Sequence, residues 1–112
     1  AALGDIGELF SNTDPKNKDR SSSEMLVIAF DKVRNAGWSI VNMDCIVFTE
    51  KPKILPHREH IRLHIADLLA IESSQVWLKA KTGECVGPIG EERAIAAECV
   101  VLLETTEASN KR

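Results

Sequence analysis

Apolar residues recur at helical spacing in two stretches of the chain. The first stretch begins at SSSE, residues 21–24, which matches a capping box, and ends at Gly37. Its apolar stripe comprises Met25, Leu26, Ile28, Ala29 and Val33. The second stretch covers residues 58–70, and its stripe comprises Ile61, Ile65, Leu68 and Leu69. Both patterns predict amphipathic helices.

Three other stretches favour strands. Residues 38–49 are rich in β-branched and apolar side chains, and residues 94–103 end in a continuous aliphatic run. Residues 76–81 alternate, with Val76 and Leu78 on one face and Trp77 and Lys79 on the other. We therefore expect two helices and three strands in one small sheet.

The segments outside these elements are polar. Residues 10–20, FSNTDPKNKDR, predict an exposed loop, and Pro52 and Pro56 make the connection after the first strand rigid. The opening AALGDIG lacks a methionine, and we interpret it as the last turn of a helix that Gly4 ends. We expect a single N-terminally incomplete domain over residues 1–104 and a flexible tail over residues 105–112.

This pattern predicts an α+β fold whose helices pack on one face of a small mixed sheet. The strand segments 46–48 and 100–103 are nevertheless apolar on both faces, as fully buried strands are. Because the visible helices cover one face only, the second face needs another cover. We expect an oligomer to supply it.

Composition narrows the class of protein. The chain has 112 residues, 44% of them hydrophobic, and a net charge of -3, which gives no general attraction to nucleic acid or anionic membranes. No segment has the length of a membrane span. Cys45, Cys85 and Cys99 lack metal-site spacing, so reduced thiols in an intracellular compartment are expected.

Single motifs carry little information here. His60 and His64 are four residues apart on the second helix, but the solvated face of a helix explains them better than a metal site. The segment KAKTGE, residues 79–84, ends a strand with a hydroxyl, a glycine and a carboxylate, which suit phosphate oxygens and a divalent cation. Asp5 and Asp14 are common turn formers.

The ordered combination is more specific. GDIG-x-x-F-x-x-T-D-P, then K-P-K-I-L-P-H, L-K-A-K-T-x-E and E-R-A-I-A-A-E resemble the 2-C-methyl-D-erythritol 2,4-cyclodiphosphate synthase family. The resemblance implies a lyase of the non-mevalonate pathway of isoprene biosynthesis. It would cyclise 4-diphosphocytidyl-2-C-methyl-D-erythritol 2-phosphate, release CMP, and act as a homotrimer whose interior buries the second sheet face.

The resemblance also assigns a nucleotide site. The loop after the first strand would present its backbone to cytosine through Thr49, Glu50, Lys51, Pro52, Lys53, Ile54 and Leu55. The segment that would bind the nucleotide phosphates comprises Ala80, Lys81, Thr82, Gly83 and Glu84. Thr82 would stabilise the transition state, and Glu84 would bind Mg or Mn.

Substrate-binding positions follow from the same resemblance. The methylerythritol part would contact Asp5, Ile6 and Gly7 and a closing loop with Phe10, Ser11, Asn12, Thr13, Asp14 and Lys18. Asn12 and Ser11 depart from the acidic residue and the proline expected there. Arg93 would face the trimer axis, where the family has a cavity for an isoprenoid diphosphate.

The resemblance implies that catalytic zinc is bound by an Asp-x-His pair and another histidine near the N-terminus of the family, at positions that precede Ala1 in the alignment. None of the three histidines here substitutes for them. The alternative is a non-catalytic trimeric relative that binds cytidine nucleotides. We expect a bacterial cytoplasm or plastid stroma, and neither nucleic acid nor a membrane as a partner.

Overall fold

A computed structural model describes residues 1–106 of the chain. The helices are α1 (Ile6–Leu9), α2 (Ser22–Asn35), α3 (Arg58–Leu69) and α4 (Gly87–Gly90). The strands are β1 (Trp38–Phe48), β2 (Val76–Lys81) and β3 (Ala96–Thr105). Among residues 1–106, no helix is long and apolar enough to cross a membrane.

The two helices that the sequence predicted, α2 and α3, are confirmed. The capping at the start of α2 differs from the expected capping box. Ser21 is the N-cap of α2, but its side chain makes no capping hydrogen bond. Gly37 follows α2 with φ +94, a left-handed value that glycine adopts without steric cost. Ala70 is the C-cap of α3 and also has a left-handed backbone conformation. Its N–H donates to the carbonyls of Ala66 and Asp67.

The three strands form one sheet in the order β2-β1-β3. β1 and β2 are parallel, with a register that runs from Met43 opposite Val76 to Phe48 opposite Lys81. A parallel pair needs a long crossover connection, and α3 lies in that connection and packs against β2. The carboxyl ends of β1 and β2 therefore lie at one edge of the sheet.

The chain divides into two compact units. The first contains Ala1–Ser39 and residues 103–106, and its buried residues include Phe10 and Phe30. The second unit is Ile40–Leu102. Its buried apolar residues are Ile40, Ala66, Leu69, Val76 and Leu78.

The α+β class with a three-stranded sheet is confirmed, and three details are corrected. Residues 1–4 are not helical; the first helical hydrogen bonds begin at Asp5, which caps α1. Phe10 is 8% exposed, so the predicted exposed loop begins with a core residue. β3 runs from Ala96 to Thr105, two residues later at each end than expected.

The expected flexible tail begins inside ordered structure. Thr105 ends β3, and the N–H of Thr106 donates to the Gly37 carbonyl at 2.9 Å. The rest of that predicted tail, residues 107–112, lies outside the described residues.

Candidate functional site

The two predicted nucleotide segments meet at the carboxyl ends of β1 and β2. The Thr49 N–H donates to the Lys81 carbonyl at 2.9 Å, which extends the pairing of the parallel strands by one step. A cleft of about 170 Å³ opens at this edge. It is lined by Thr49, Lys53, Ile54, Leu55, Ala80, Lys81 and Thr82. Parallel sheets commonly bind ligands beyond the carboxyl ends of their strands.

Thr49 fixes the start of the loop at residues 49–55. It is 4% exposed, and its hydroxyl donates to the Lys51 carbonyl at 2.7 Å. Pro52 follows with a cis peptide bond, and a short 3-10 helix begins at Leu55. Contacts within the loop therefore define its backbone path between Thr49 and Leu55.

The second segment ends in a tight turn at residues 82–85. The Glu84 N–H donates to the Thr82 hydroxyl oxygen at 3.3 Å, and Glu84 and Cys85 have positive φ values of 52 and 64. Gly83 lies against the backbone of Gly90, where a Cβ would overlap the Gly90 nitrogen. Glycine is therefore required at position 83 by this close approach.

Two contacts join the loop at residues 49–55 to the residues after β2. The Cys85 N–H donates to Oε1 of Glu50 at 3.2 Å, and Nζ of Lys51 lies 3.4 Å from Oε1 of Glu92. Neither contact was expected from the sequence. Each partner is more than thirty positions away, and exposed charged residues carry no sequence signal for their partners.

The cleft combines two ammonium groups with an apolar wall. Lys53 and Lys81 suit phosphate oxygens as cations, the Thr82 hydroxyl can donate to them, and Ile54 and Leu55 provide apolar contact. Glu50, Lys51, Pro52, Gly83 and Glu84 adjoin the lining residues in sequence without lining the cleft themselves. The arrangement fits a ligand with an anionic part and a flat apolar part.

The donor atoms at this edge fit a divalent cation only in part. Glu84 is exposed and offers one carboxylate, and magnesium is often held by one or two carboxylates with phosphate oxygens and water. Within residues 1–106, no group of three or more His, Cys, Asp and Glu side chains could hold a metal ion. The described residues therefore fit a Glu84–Mg or Mn contact that a bound diphosphate completes, and they do not fit a zinc site.

The predicted substrate positions before α2 mainly make local contacts. Asp5 accepts the Glu8 N–H at 3.0 Å, and Asp14 accepts the Lys16 N–H at 3.0 Å, so both carboxylates cap short helices. The Ser11 and Thr13 hydroxyls are 2.8 Å apart. Most of the predicted positions are exposed, namely Asp5, Ile6, Gly7, Asn12, Thr13, Asp14 and Lys18.

A cavity of about 300 Å³ brings together part of this set within the first unit. Asp5, Ile6 and Phe10 line it, together with residues of α2 such as Lys32. Gly7, Ser11, Asn12, Thr13, Asp14 and Lys18 are not among its lining residues. Arg93 belongs to the second unit, is exposed, and donates from its guanidinium to Glu91.

The comparisons with known proteins identify the family. The profile of the YgbB family matches residues 1–104. The chain belongs to the YgbB family. A YgbB relative from Treponema denticola, named 2-C-methyl-D-erythritol 2,4-cyclodiphosphate synthase, is 48% identical over 94% of this chain and 66% of its own length. The synthase of Geobacillus thermodenitrificans is 46% identical, with the same two coverages of 94% and 66%. This chain thus spans just under two thirds of these relatives.

Two solved structures share the fold of this chain. The bifunctional IspDF of Campylobacter jejuni matches with a TM-score of 0.87 and 37% identity over 92% of this chain and 28% of that one. The CDP complex of IspF from Plasmodium falciparum matches with a TM-score of 0.78 and 36% identity over 91% of this chain and 60% of that one.

Proposed function

We propose that this chain provides the cytidine-nucleotide site of a 2-C-methyl-D-erythritol 2,4-cyclodiphosphate synthase. Its reaction would convert 4-diphosphocytidyl-2-C-methyl-D-erythritol 2-phosphate to the cyclodiphosphate and CMP, as a phosphorus-oxygen lyase of isoprenoid precursor synthesis. The observation that carries the proposal is the cleft at the ends of β1 and β2, where seven of the predicted nucleotide positions meet. The family membership and the CDP complex of the Plasmodium relative support it.

The proposed binding mode assigns each part of the nucleotide to one wall of the cleft. Backbone groups of residues 49–55 would bind the cytosine edge, because a rigid loop loses little conformational entropy when a base binds. Lys53 and Lys81 would neutralise the diphosphate. The Thr82 hydroxyl would donate to a phosphoryl oxygen as negative charge develops on it.

The proposed reaction is an internal displacement at phosphorus. An oxygen of the 2-phosphate forms a bond to the β-phosphorus, the bond from that phosphorus to the CMP oxygen breaks, and no water is consumed. The residues of the cleft contribute by holding the two ends of one substrate together, which is worth about 7–11 kcal/mol in favourable cases.

Magnesium or manganese, when bound at Glu84, would neutralise charge on the diphosphate oxygens. Zinc is expected from the resemblance alone, because the described residues do not fit a zinc site.

We also propose a homotrimer as the working assembly. β3 and the residue before it expose large apolar side chains, with Val100 at 75%, Leu102 at 55% and Ile95 at 64% exposure. Adjacent exposed apolar side chains of this kind mark interaction surfaces. At the trimer axis, an isoprenoid diphosphate would have to compete with Glu91 for Arg93. The cytoplasm or plastid stroma stays a predicted location.

Calorimetric titration of this chain with CDP and with UDP, in the presence of Mg, tests the nucleotide site. We expect CDP to bind at least tenfold more tightly than UDP, because the two bases present different edges to the loop. Equal affinities in a folded protein would overturn the nucleotide assignment.

Two further measurements separate the parts of the proposal. Glu84→Gln should weaken CDP binding when Mg is present and change it little without Mg, because the amide preserves shape but ligates the ion poorly. Equal weakening of CDP binding with and without Mg would show that Glu84 does not bind the cation. Release of CMP from the diphosphocytidyl substrate would distinguish the enzyme from a relative that only binds nucleotide.

A further inference from the structure

Glu50 holds the turn that carries Glu84. Its side chain is half-buried, and Oε1 accepts the Cys85 N–H at 3.2 Å, across 35 positions of sequence. The loop at residues 49–55 was expected to act through its backbone. The carboxylate of Glu50 instead points to the neighbouring segment and contacts it directly.

The turn needs such an external contact. Glu84 and Cys85 are consecutive non-glycine residues with φ values of 52 and 64, a region that L-residues populate sparsely. Surrounding contacts must maintain this backbone shape, and the backbone direction at residue 84 sets where the Glu84 carboxylate lies. The Thr82 hydroxyl supplies one contact from inside the turn, and Glu50 supplies one from outside.

We propose that Glu50 is a positioning residue for the divalent cation. By accepting the Cys85 N–H, it keeps Glu84 where a nucleoside diphosphate and a cation can share its carboxylate. This role of Glu50 rests on the proposed function. Glu50 would hold Glu84 in the position for cation binding before the nucleotide binds.

The test compares Glu50→Ala with Glu50→Gln, since an amide oxygen can still accept the Cys85 N–H. Affinity for CDP is measured with and without Mg, with Glu24→Ala as the control because Glu24 is an exposed glutamate in a long ion pair. We expect Glu50→Ala to reduce the Mg-dependent gain in CDP affinity at least fivefold. Glu50→Gln and Glu24→Ala should keep that gain.

Amide hydrogen exchange at Cys85 provides a readout that needs no ligand. Exchange should accelerate in Glu50→Ala and stay near the parent rate in Glu50→Gln. An unchanged rate in Glu50→Ala, or equal loss of CDP affinity with and without Mg, would overturn the positioning role. If the parent chain binds no CDP, the proposed function fails, and the exchange rates alone decide whether Glu50 holds the turn.

A separate observation concerns β1 and β3. Sγ of Cys45 on β1 lies 3.3 Å from Sγ of Cys99 on the neighbouring strand β3. Burial, the Cys99 thiol and the nearby Asp44 raise the pKa of Cys45 to about 12, while Cys99 is exposed. In the unassembled chain the two thiols therefore differ in access, and Cys99, which lies on β3 beside Val100, is the one that a solution reagent reaches.

We propose that Cys45 and Cys99 form a disulfide when the unassembled chain meets a low-molecular-weight disulfide such as oxidised glutathione. The Cys99 thiolate attacks one sulfur of the reagent, forms a mixed disulfide and releases one thiol. Cys45 then loses its proton and attacks the Cys99 sulfur, which expels the second thiol. Two protein thiols are oxidised and one reagent disulfide is reduced to two thiols.

Mass spectrometry of Cys85→Ser after treatment with oxidised glutathione tests this proposal. Cys85 is exposed and distant from this pair in sequence, so its replacement leaves Cys45 and Cys99 as the only thiols. We expect loss of two hydrogens and a linked peptide pair. The same chain with Cys45→Ser added should keep glutathione on Cys99. Stable glutathionylation of Cys99 with Cys45 present would overturn the proposal.

Discussion

The two edge strands of the sheet, β2 and β3, differ in how far their apolar side chains are exposed. β2 buries Val76 and Leu78 to 1% exposure each, whereas β3 leaves Val100 at 75% and Leu102 at 55%. α3 packs against β2. The apolar residues of β3 are therefore available for a partner, while those of β2 are already part of the core.

The one large apolar residue exposed on β2 is also covered in part by the chain itself. Arg58 and Arg62, four residues apart on α3, place their guanidinium carbons 5.0 and 5.4 Å from the centre of the Trp77 ring. Nη1 of Arg62 also donates to the carbonyls of Ser73 and Val76, at 2.6 and 3.3 Å. Cation–π contact and charge make this edge a poor surface for self-association.

The largest expected effect comes from shortening the core residue of β2. Leu78→Ala should lower the free energy of unfolding by about 2–5 kcal/mol, because it leaves a cavity beneath α3. Urea denaturation at low protein concentration measures the loss. Leu102→Ala on β3 is the matched control and should cost less than about 1 kcal/mol. Equal losses would contradict the contrast between the two strands.

The next effect concerns association through β3. Val100→Lys should weaken self-association at least tenfold, because assembly would bury an ammonium group among apolar side chains. Sedimentation velocity over a range of concentrations measures it. Leu63→Lys is the control, since Leu63 is 52% exposed on α3 and lies outside the proposed interface. If the parent chain stays monomeric at all concentrations, the proposed homotrimer is wrong.

The smallest effect concerns the ion pair that holds Arg62 near Trp77. Hydrogen bonds from Arg62 lower the pKa of Glu59, so the pair stabilises the fold above the ordinary carboxyl pKa and this contribution is lost as pH falls through the folded-state pKa. The stability difference between the parent and Glu59→Gln should therefore shrink between about pH 6 and pH 3. Thermal melts of both proteins at both pH values measure this difference. A difference that does not change with pH would show that the charge of Glu59 contributes nothing to stability.

Much of the fold was predictable because its signals are local. The stripes of α2 and α3 and the alternation of residues 76–81 predicted these elements within two residues of their ends. The stripe of α2 was less exact about burial, because the buried residue of that helix is Phe30, which the predicted stripe did not include. The burial of Phe10 was missed because Phe10 was grouped with the polar residues that follow it. Ile6, Leu9 and Phe10 have the i, i+3, i+4 spacing of one helix face, which was the signal that could have revealed it.

The candidate site was predictable in composition but not in geometry. The segments at residues 49–55 and 80–84 follow strand ends, and only the parallel register shows that they meet. The contact from Glu50 to Cys85 depends on the backbone path of a turn with two left-handed residues. The roles of Asp5 and Asp14 in substrate binding stay predictions, since both carboxylates cap local turns in the described structure.

The close approach of Gly83 and Gly90 has a consequence for anyone who surveys variants of this protein. A side chain at position 83 would overlap the Gly90 backbone, and one at position 90 would meet the Cys85 backbone at 2.6 Å. Both positions should therefore tolerate almost no replacement in a mutational scan. Such intolerance beside the cleft would mimic the signature of ligand contact, although it would report only that two stretches of main chain touch.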